Sequence, residues 1–314
     1  MSISQVSILL IFIVSLIAVT KGADWLVEGA VGLAQIWGIP QIIVGATIVS
    51  LGTTLPETLI SSFAAVQGKG DVVLGTSLGS ILFNTAVILG LASVIRPPQV
   101  KDKDTFFKAG TMIGVLVLLG ILASDRMISR FDSFVLALIL LFYLGSNVWA
   151  GMNTSNGEKN NHSRSDLWRN IRNFSLGTVL VVLGARYLLD SGVEIARILG
   201  VPEAIIAVTL FAIGSSLPEL ITATTAAIKG HTGLVLGNVF GANTLNIIFV
   251  IAISGLIRPF PVASSVITMD IPAALFMMAV LVLPAFFTKR ITRVQGAVTI
   301  IAYFTYIVFL VMGK

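Results

Sequence analysis

The sequence predicts an all-α integral membrane protein with ten transmembrane helices in two inverted five-helix repeats. Of its 314 residues, 56% are hydrophobic and only 11% are charged, whereas soluble globular proteins carry about 25% charged residues. Apolar runs long enough to cross a hydrocarbon core of about 30 Å recur along the chain. The second half of the chain also repeats the first. Together these observations exclude a soluble enzyme, a disordered chain and a nucleic-acid-binding protein.

The net charge and the cysteine content limit the kinds of site and partner that this membrane protein can have. The net charge is +5, but in a membrane protein an excess of Lys and Arg more often sets topology than binds an acidic partner. The chain has no cysteine, which excludes disulfides, thiolate catalysis and zinc–thiolate sites. No basic segment precedes the first apolar run, so Ile8 to Thr20 is interpreted as part of a retained span rather than a cleaved signal.

The internal repeat is long and free of gaps. The segment GIPQIIVGATIVSLGTTLPE ends at Glu57 and GVPEAIIAVTLFAIGSSLPE ends at Glu219, an offset of 219 − 57 = 162 residues. At this offset, 22–97 aligns with 184–259, and 25 of the 76 positions are identical. The chain is therefore a duplication, predicted as a first repeat at 1–150, a polar linker at 151–173 and a second repeat at 174–314.

Hydropathy and loop charge predict the topology. The first span could be one long helix or two helices broken near Lys21 and Gly22. Five spans per half collect most Lys and Arg on one face and invert the second repeat, whereas six spans per half remove this bias. Five are therefore predicted, with both termini outside the plasma membrane and the linker in the cytoplasm. The predicted spans are 4–36, 42–66, 72–95, 109–124, 131–150, 174–198, 204–228, 233–257, 271–288 and 294–312.

Two carboxylates lie deep in predicted spans, where an ionisable group is costly and indicates function. Glu57 lies fifteen residues into its span, roughly 22 Å along the helix, and Glu219 is equally deep in its own. Each follows a proline, which removes a helical N–H and predicts a loosened turn with freed carbonyl oxygens. A structural hydrogen bond to a neighbouring helix is the alternative role, and the duplication of the motif argues against it.

The surrounding polar residues supply only oxygen ligands and amides. Two negative charges with neutral oxygens suit Ca²⁺, whereas copper and zinc prefer thiolate and imidazole. Both histidines are predicted in loops. Packing between helices is the alternative role for the small residues, and cross-linking of helices is the alternative for the amides. The residues near the two glutamates are Ser50, Thr53, Thr54, Ser80, Asn84, Ser215, Ser216 and Asn246.

These motifs resemble a known family. GATIVSLGTTLPE with GTSLGSILFN (45–84) and AVTLFAIGSSLPE with GNVFGANTLN (207–246) resemble the two α-repeats of the calcium/cation antiporter superfamily. The chain looks like a prokaryotic sodium/calcium exchanger, a membrane antiporter and not an enzyme. The resemblance implies exchange of Ca²⁺ for Na⁺ by alternating access at a site near the membrane midplane. It implies Glu57 and Glu219 as Ca²⁺ ligands, with the carbonyls of Thr53 and Ser215.

The resemblance also implies sodium sites beside the calcium site, and here the sequence departs from the family. The corresponding residues are Ser50, Thr54, Ser80, Ala212, Ser216 and Ala242, with Asn84 and Asn246 as supporting amides. Asn246 stands where some sodium/calcium exchangers have Asp, and Ala242 replaces a Ser that serves a sodium site. A proton/calcium or potassium-dependent antiporter therefore stays an alternative.

The sequence favours neither a channel nor an intramembrane enzyme. A channel would usually build its pore from rings of ligands, whereas this chain carries both halves of one site. An intramembrane enzyme would need a nucleophile–base constellation, and none is evident in the sequence. No cofactor, nucleic acid or protein partner is predicted; the expected partners are Ca²⁺, Na⁺ (or H⁺) and the lipid bilayer.

Overall fold

A computed structural model describes residues 3–100, 103–154, 164–200 and 216–312. In these residues the helices group into ten consecutive segments, of which the seventh is described only from Leu217. The first five are α1 (Ile3–Trp37), α2 (Gln41–Val66), α3 (Gly70–Ile95), α4 (Lys103–Leu122) and α5 (Arg130–Thr154). The second five are α6 (Arg164–Ile198), α7 (Leu217–Lys229), α8 (Thr232–Ile257), α9 (Val266–Thr288) and α10 (Arg293–Met312).

The predicted spans correspond to the described helices, and the differences lie at helix ends. α1 is one continuous helix, in agreement with the single predicted span at 4–36, so the chain does not break near Lys21 and Gly22. α4 begins at Lys103, six residues before its predicted start at 109, and α6 begins at Arg164, inside the predicted linker. Hydropathy marks only the apolar part of a helix, and both helices continue into polar sequence, where helix formation does not require an apolar side chain.

The longer α4 changes the environment of Lys108. This lysine directly precedes the predicted span at 109–124, but it lies in α4 and is only 2% exposed. Its ammonium group is 5.1 Å from the ring centroid of Tyr143 on α5. Burial of the methylene stem and contact of the cation with an aromatic ring stabilise this position, so Lys108 is not a simple topology signal.

Apolar side chains cover the outside of the molecule as well as its core. Phe287 is 88% exposed and Phe142 is 72% exposed, which fits contact with lipid rather than water. Within the described residues, seven helices are long and apolar enough to cross a membrane. α3 and α8 are mostly buried, whereas α1 and α5 expose most of their apolar residues. The two central helices therefore form the interior of the bundle.

Within the described residues, four helices contain a π-helical turn, and two of these turns occupy the same position in the repeat. The turn in α3 is Asn84–Ile88 and the turn in α8 is Asn246–Ile251, so each begins at the asparagine of its half. The others are Gly45–Val49 in α2 and Val266–Asp270 in α9. Single π turns within α-helices frequently mark functional sites.

Contacts between loops recur in pairs related by the repeat. The strands β1 (Met127–Ile128) and β2 (Phe260–Pro261) pair antiparallel and join the α4–α5 turn to the α8–α9 turn. The matching contact joins the α3–α4 and α9–α10 turns, where the Val100 amide donates to the Lys289 carbonyl over 2.9 Å. Consecutive spans alternate in direction, so even- and odd-numbered turns lie on opposite faces. The related contacts are therefore on opposite faces, as an inverted repeat requires.

Candidate cation site

The first carboxylate lies on a continuous helix. Glu57 belongs to the α-helical part of α2, Ser50–Val66, which runs through Pro56 without interruption. The prediction of a loosened turn at Thr53 was therefore wrong; the irregular turn is Gly45–Val49, further upstream. A proline removes one helical hydrogen bond without forcing the chain to unwind, so the Gly52 carbonyl still lacks its usual helical donor.

The second carboxylate lies at the beginning of a described helix. α7 starts at Leu217, with Pro218 in its first turn and Glu219 directly after it. Proline is favoured in the first turn because its missing N–H would have no helical partner there. The partial positive charge of a helix N-terminus also stabilises a nearby carboxylate. The predicted ligands Ser215 and Ala212 lie outside the described residues.

The two glutamates meet across the repeat interface. Glu57 is 1% exposed and Glu219 is 2% exposed, and the two carboxyl groups are close enough to interact electrostatically. Thr53 lies within hydrogen-bonding reach of the Glu219 carboxyl, and Ser80 lies beside the Glu57 carboxyl. The two halves of the chain therefore contribute to one buried polar cluster.

A hydrogen bond between hydroxyl groups also joins the two halves. The Ser216 hydroxyl donates to the Ser80 hydroxyl oxygen over 3.0 Å, and both residues are buried. Ser80 lies on α3 and Ser216 immediately precedes α7. Two of the residues predicted for sodium binding are thus in direct contact, although they are 136 positions apart in the sequence.

Many polar atoms of this cluster lack a hydrogen-bond partner among the described residues. In native proteins nearly all buried polar atoms are paired, so such a concentration is typical of a place where a cation can be bound. An oxygen that accepts nothing from the protein is free to coordinate a cation. The unpartnered atoms include both carboxyl oxygens of Glu57, Oε2 of Glu219, Oγ1 of Thr54, both side-chain amide atoms of Asn84 and Oδ1 of Asn246.

Close helix packing brings α8 to the same site. A Cβ atom added at Gly241 would lie 2.6 Å from the Ser50 hydroxyl oxygen and 2.6 Å from the Ala46 Cα. Such contacts are too short, so only glycine lets α8 approach α2 at this level. Ala242, the next residue, is buried but its side chain has no oxygen. The predicted sodium-site residues Ser50 and Ala242 are therefore both in the interior, and only Ser50 brings a side-chain ligand.

Three hydroxyl groups near the site were missed by the sequence reasoning. Ser61, Ser77 and Thr222 are buried, and their side-chain oxygens have no hydrogen-bond partner among the described residues. Ser61 is four residues from Glu57, and Thr222 is three residues from Glu219. Ser77 is three residues from Ser80. Each of the three therefore lies on the same helix face as the site residue near it. Helical spacing from the two glutamates was the signal that could have found Ser61 and Thr222.

The chemistry of the cluster suits a hard cation. Within the described part of the chain no group of three or more His, Cys, Asp and Glu side chains converges. A cation held here would therefore have two carboxylates and otherwise neutral oxygens. Ca²⁺ and Na⁺ accept hydroxyl, carbonyl and carboxylate oxygens, whereas transition metals favour nitrogen and sulfur.

Replacing Ser80 by alanine tests whether the shared hydroxyl contributes to cation binding. We expect calcium affinity of the purified protein to fall about 10-fold, because a hydrogen bond involving a charged group contributes roughly 1.5 kcal/mol. Ser93→Ala is the matched control, since Ser93 is a buried serine on the same helix that donates to the Leu89 carbonyl over 2.7 Å. Equal affinities in both variants would contradict a role for Ser80.

Comparisons with known proteins agree with this arrangement. Residues 7–149 and 173–312 match the family model described as sodium/calcium exchanger protein. The inner membrane protein YrbG of Escherichia coli is 33% identical over 258 residues, covering 79% of each chain. The sodium/calcium exchanger MaX1 of Methanosarcina acetivorans is 27% identical, covering 96% of this chain and 97% of its own.

A solved structure shows the same fold over nearly the whole chain. The structure of the sodium-calcium exchanger NCX_Mj soaked with 10 mM Na⁺ and zero Ca²⁺ superposes with a TM-score of 0.86 at 28% identity. The similarity covers 97% of this chain and 99% of that one. With both halves matched by one family model, the chain belongs to the sodium/calcium exchanger protein family.

Proposed function

We propose that the protein exchanges Ca²⁺ for Na⁺ across the membrane by alternating access, with the transported cations bound between Glu57 and Glu219. One observation carries this proposal. Two buried carboxyl groups, one from each half of a duplicated membrane chain, lie close together with oxygen atoms that no described protein group satisfies. In transporters built from inverted repeats, substrate sites lie near the midplane at the repeat interface.

The charge of the pair explains why transport would be an exchange. One Ca²⁺ neutralises two carboxylates, and Na⁺ ions can do the same, so the two ions compete for one site. Without any cation, closing the bundle around two unpaired negative charges is unfavourable because buried charge is costly. The empty protein therefore resists the change of access, and each cation must be replaced by another.

Several predicted assignments accompany this proposal. The calcium ligands are Glu57, Glu219 and the carbonyls of Thr53 and Ser215. Sodium ligands come from the remaining hydroxyls and carbonyls, with Asn84 and Asn246 as supporting amides. The chain acts as a transporter without enzymatic activity and resides in the plasma membrane. Its termini lie outside, its linker at 151–173 lies in the cytoplasm, and the repeats at 1–150 and 174–314 form the two halves.

Proton exchange is a second candidate, favoured by the residues of α8. Asn246 brings a neutral amide, and Ala242 brings no side-chain oxygen, so this half offers fewer ligands for sodium. A glutamate pair can alternatively take up protons when calcium leaves. The sodium proposal is preferred because the chain is matched along most of its length by the sodium/calcium exchanger family model.

Exchanging the driving gradient tests the two candidates against each other. Proteoliposomes loaded with Na⁺ and diluted into Na⁺-free medium should take up radiolabelled calcium at least about 10-fold faster than vesicles loaded with choline. Vesicles with a proton gradient alone, or with K⁺ inside, should behave like the choline control. Uptake that follows the proton gradient and ignores sodium would replace sodium with H⁺, and uptake in none of these conditions would refute exchange.

A further inference from the structure

A lysine at the end of α7 forms ion pairs with two acids on α1. The Lys229 ammonium nitrogen is 2.9 Å from Oδ1 of Asp24 and 3.0 Å from Oε1 of Glu28. The two acids are four residues apart and therefore share one face of α1. The other described ion pairs, Asp166–Arg169, Arg186–Asp190 and Glu194–Arg197, each join two residues of α6. The Lys229 pairs instead connect different parts of the bundle.

Among the described ion pairs, Lys229 is the cation that contacts these two acids, whereas the nearby Arg169 pairs with Asp166 on its own helix. The neighbouring His231 lies in the turn between α7 and α8, and its pKa is lowered by burial and by the charges of Lys229 and Arg96. His231 is therefore neutral at pH 7 and does not act as a second cation. Arg96 packs against Gly230 at the same turn. The two carboxylates of α1 are thus held by a single lysine of α7.

α1 and α6 pack together as one unit. A Cβ added at Gly29 would lie 2.5 Å from the Phe174 amide nitrogen, and one added at Gly177 would clash with the Leu26 amide nitrogen. Such close backbone approach over several turns holds the two helices together. They contact each other more extensively than either contacts any other helix in the described residues. We refer to them as the α1–α6 pair.

The ion pairs occur beside a crevice that runs along the α1–α6 pair and reaches the α7–α8 turn. A cavity of about 530 Å³ lies there, lined by residues of both helices, including Glu28, Gln35 and Asn170, and by His231 of the α7–α8 turn. It is on the same face as the central linker, because α5 and α7 both end on that face. Movement of the α1–α6 pair away from α7 would widen this crevice.

The part of the chain that the structure describes has no equivalent ion pair on the other face. At the 162-residue offset, Lys229 corresponds to Gln67, Asp24 to Arg186 and Glu28 to Asp190. Gln67 is neutral, and Arg186 and Asp190 are on the same helix, 4.0 Å apart and largely exposed. In a transporter built from an inverted repeat, each half takes up the conformation of the other half when access changes from one side of the membrane to the other. A contact present in only one half therefore favours one access state over the other.

We propose that Lys229 is a positioning residue for exchange: with Asp24 and Glu28 it holds the α1–α6 pair against α7 and favours the state closed on the linker face. This inference rests on the proposed alternating access. The ion pairs must break before the linker face can open. Because they are partly exposed, they bias the equilibrium modestly and still permit opening.

Distance measurements between spin labels test the proposal directly. The chain contains no cysteine, so Gln35→Cys on α1 and Thr232→Cys on α8 provide two labelling sites across the crevice. In proteoliposomes, Lys229→Gln introduces the residue of the other repeat. We expect the ratio of short to long distances to fall about 3- to 10-fold. Lys229→Arg should retain the original ratio, and the charge exchange Asp24→Lys with Lys229→Glu should restore it.

Lys69→Gln is the matched control, since Lys69 stands at the corresponding turn of the first half and is exposed. It should leave the distances unchanged. The proposal is overturned if Lys229→Gln has no effect, if Lys69→Gln has the same effect, or if the charge exchange fails to restore the short distance. Calcium flux of the unsubstituted protein is measured in the same vesicles. Loss of that flux would refute the proposed function, whereas unchanged distances with normal flux would refute only the role of Lys229.

Discussion

Glu57→Gln and Glu219→Gln should each lower calcium exchange by about 100-fold or more. Either change leaves one negative charge to face a divalent cation in a buried site. The interaction of a carboxylate with a nearby charge at a protein site amounts to several kcal/mol, and each 1.4 kcal/mol corresponds to a factor of ten in affinity. Because glutamine is nearly the same size, the loss would reflect charge rather than packing.

Radiolabelled calcium uptake into sodium-loaded proteoliposomes measures this effect. Glu194→Gln is the matched control, since it is the same chemical change at a half-exposed position on α6, and it should transport normally. Protein yield and melting temperature should be similar for all three variants. Full transport by either Glu57→Gln or Glu219→Gln would show that the cations do not bind between these two glutamates.

Gly241→Ala should both destabilise the protein and impair transport. The new methyl group would lie 2.6 Å from the Ser50 hydroxyl oxygen and the Ala46 Cα, so α8 would have to move away from α2. Overpacking of this kind costs about 1–3 kcal/mol, which lowers the melting temperature of a protein of this size by about 5 °C. Calcium uptake should fall at least about 10-fold, because α8 would be separated from α2, which carries Ser50 and Glu57.

Gly114→Ala is the control for this substitution. Gly114 lies on α4, and among the described residues no atom lies within 4 Å of a Cβ added there. Melting curves of the purified proteins and uptake in proteoliposomes compare the two variants. If Gly241→Ala melts and transports like Gly114→Ala, the close approach of α8 to α2 is not required for the site.

The positions of the candidate ligands in the sequence predicted the site better than their local conformation did. The Pro-Glu motif led to Glu57 and Glu219 because charge deep in an apolar span is rare, and this holds whatever the helix geometry. The same motif led to a wrong prediction of a loosened turn at Thr53, since α2 is continuous there. The effect of a single missing hydrogen bond depends on the packing around it, and the sequence does not contain that packing.

The ends of the helices and the burial of charged residues were predicted least accurately, for a related reason. Hydropathy sums over a window and is insensitive to the direction in which a side chain points. Lys108 and the mostly polar segment from Arg164 to Asn173 were predicted outside the spans, yet they are helical. Only the neighbouring helices decide whether such a residue reaches water, packs on a ring as Lys108 does, or forms an ion pair as Lys229 does.

The sequence by itself determined that this protein spans a membrane, that it arose by duplication and that two glutamates lie at equivalent depths in its halves. These properties follow from composition and periodicity, which are local. Only the tertiary structure decided that Ser216 contacts Ser80, that Thr53 reaches Glu219 and that Lys229 pairs with Asp24 and Glu28. Each of these contacts joins helices more than 100 residues apart in the chain, so it depends on how the helices pack rather than on any local pattern.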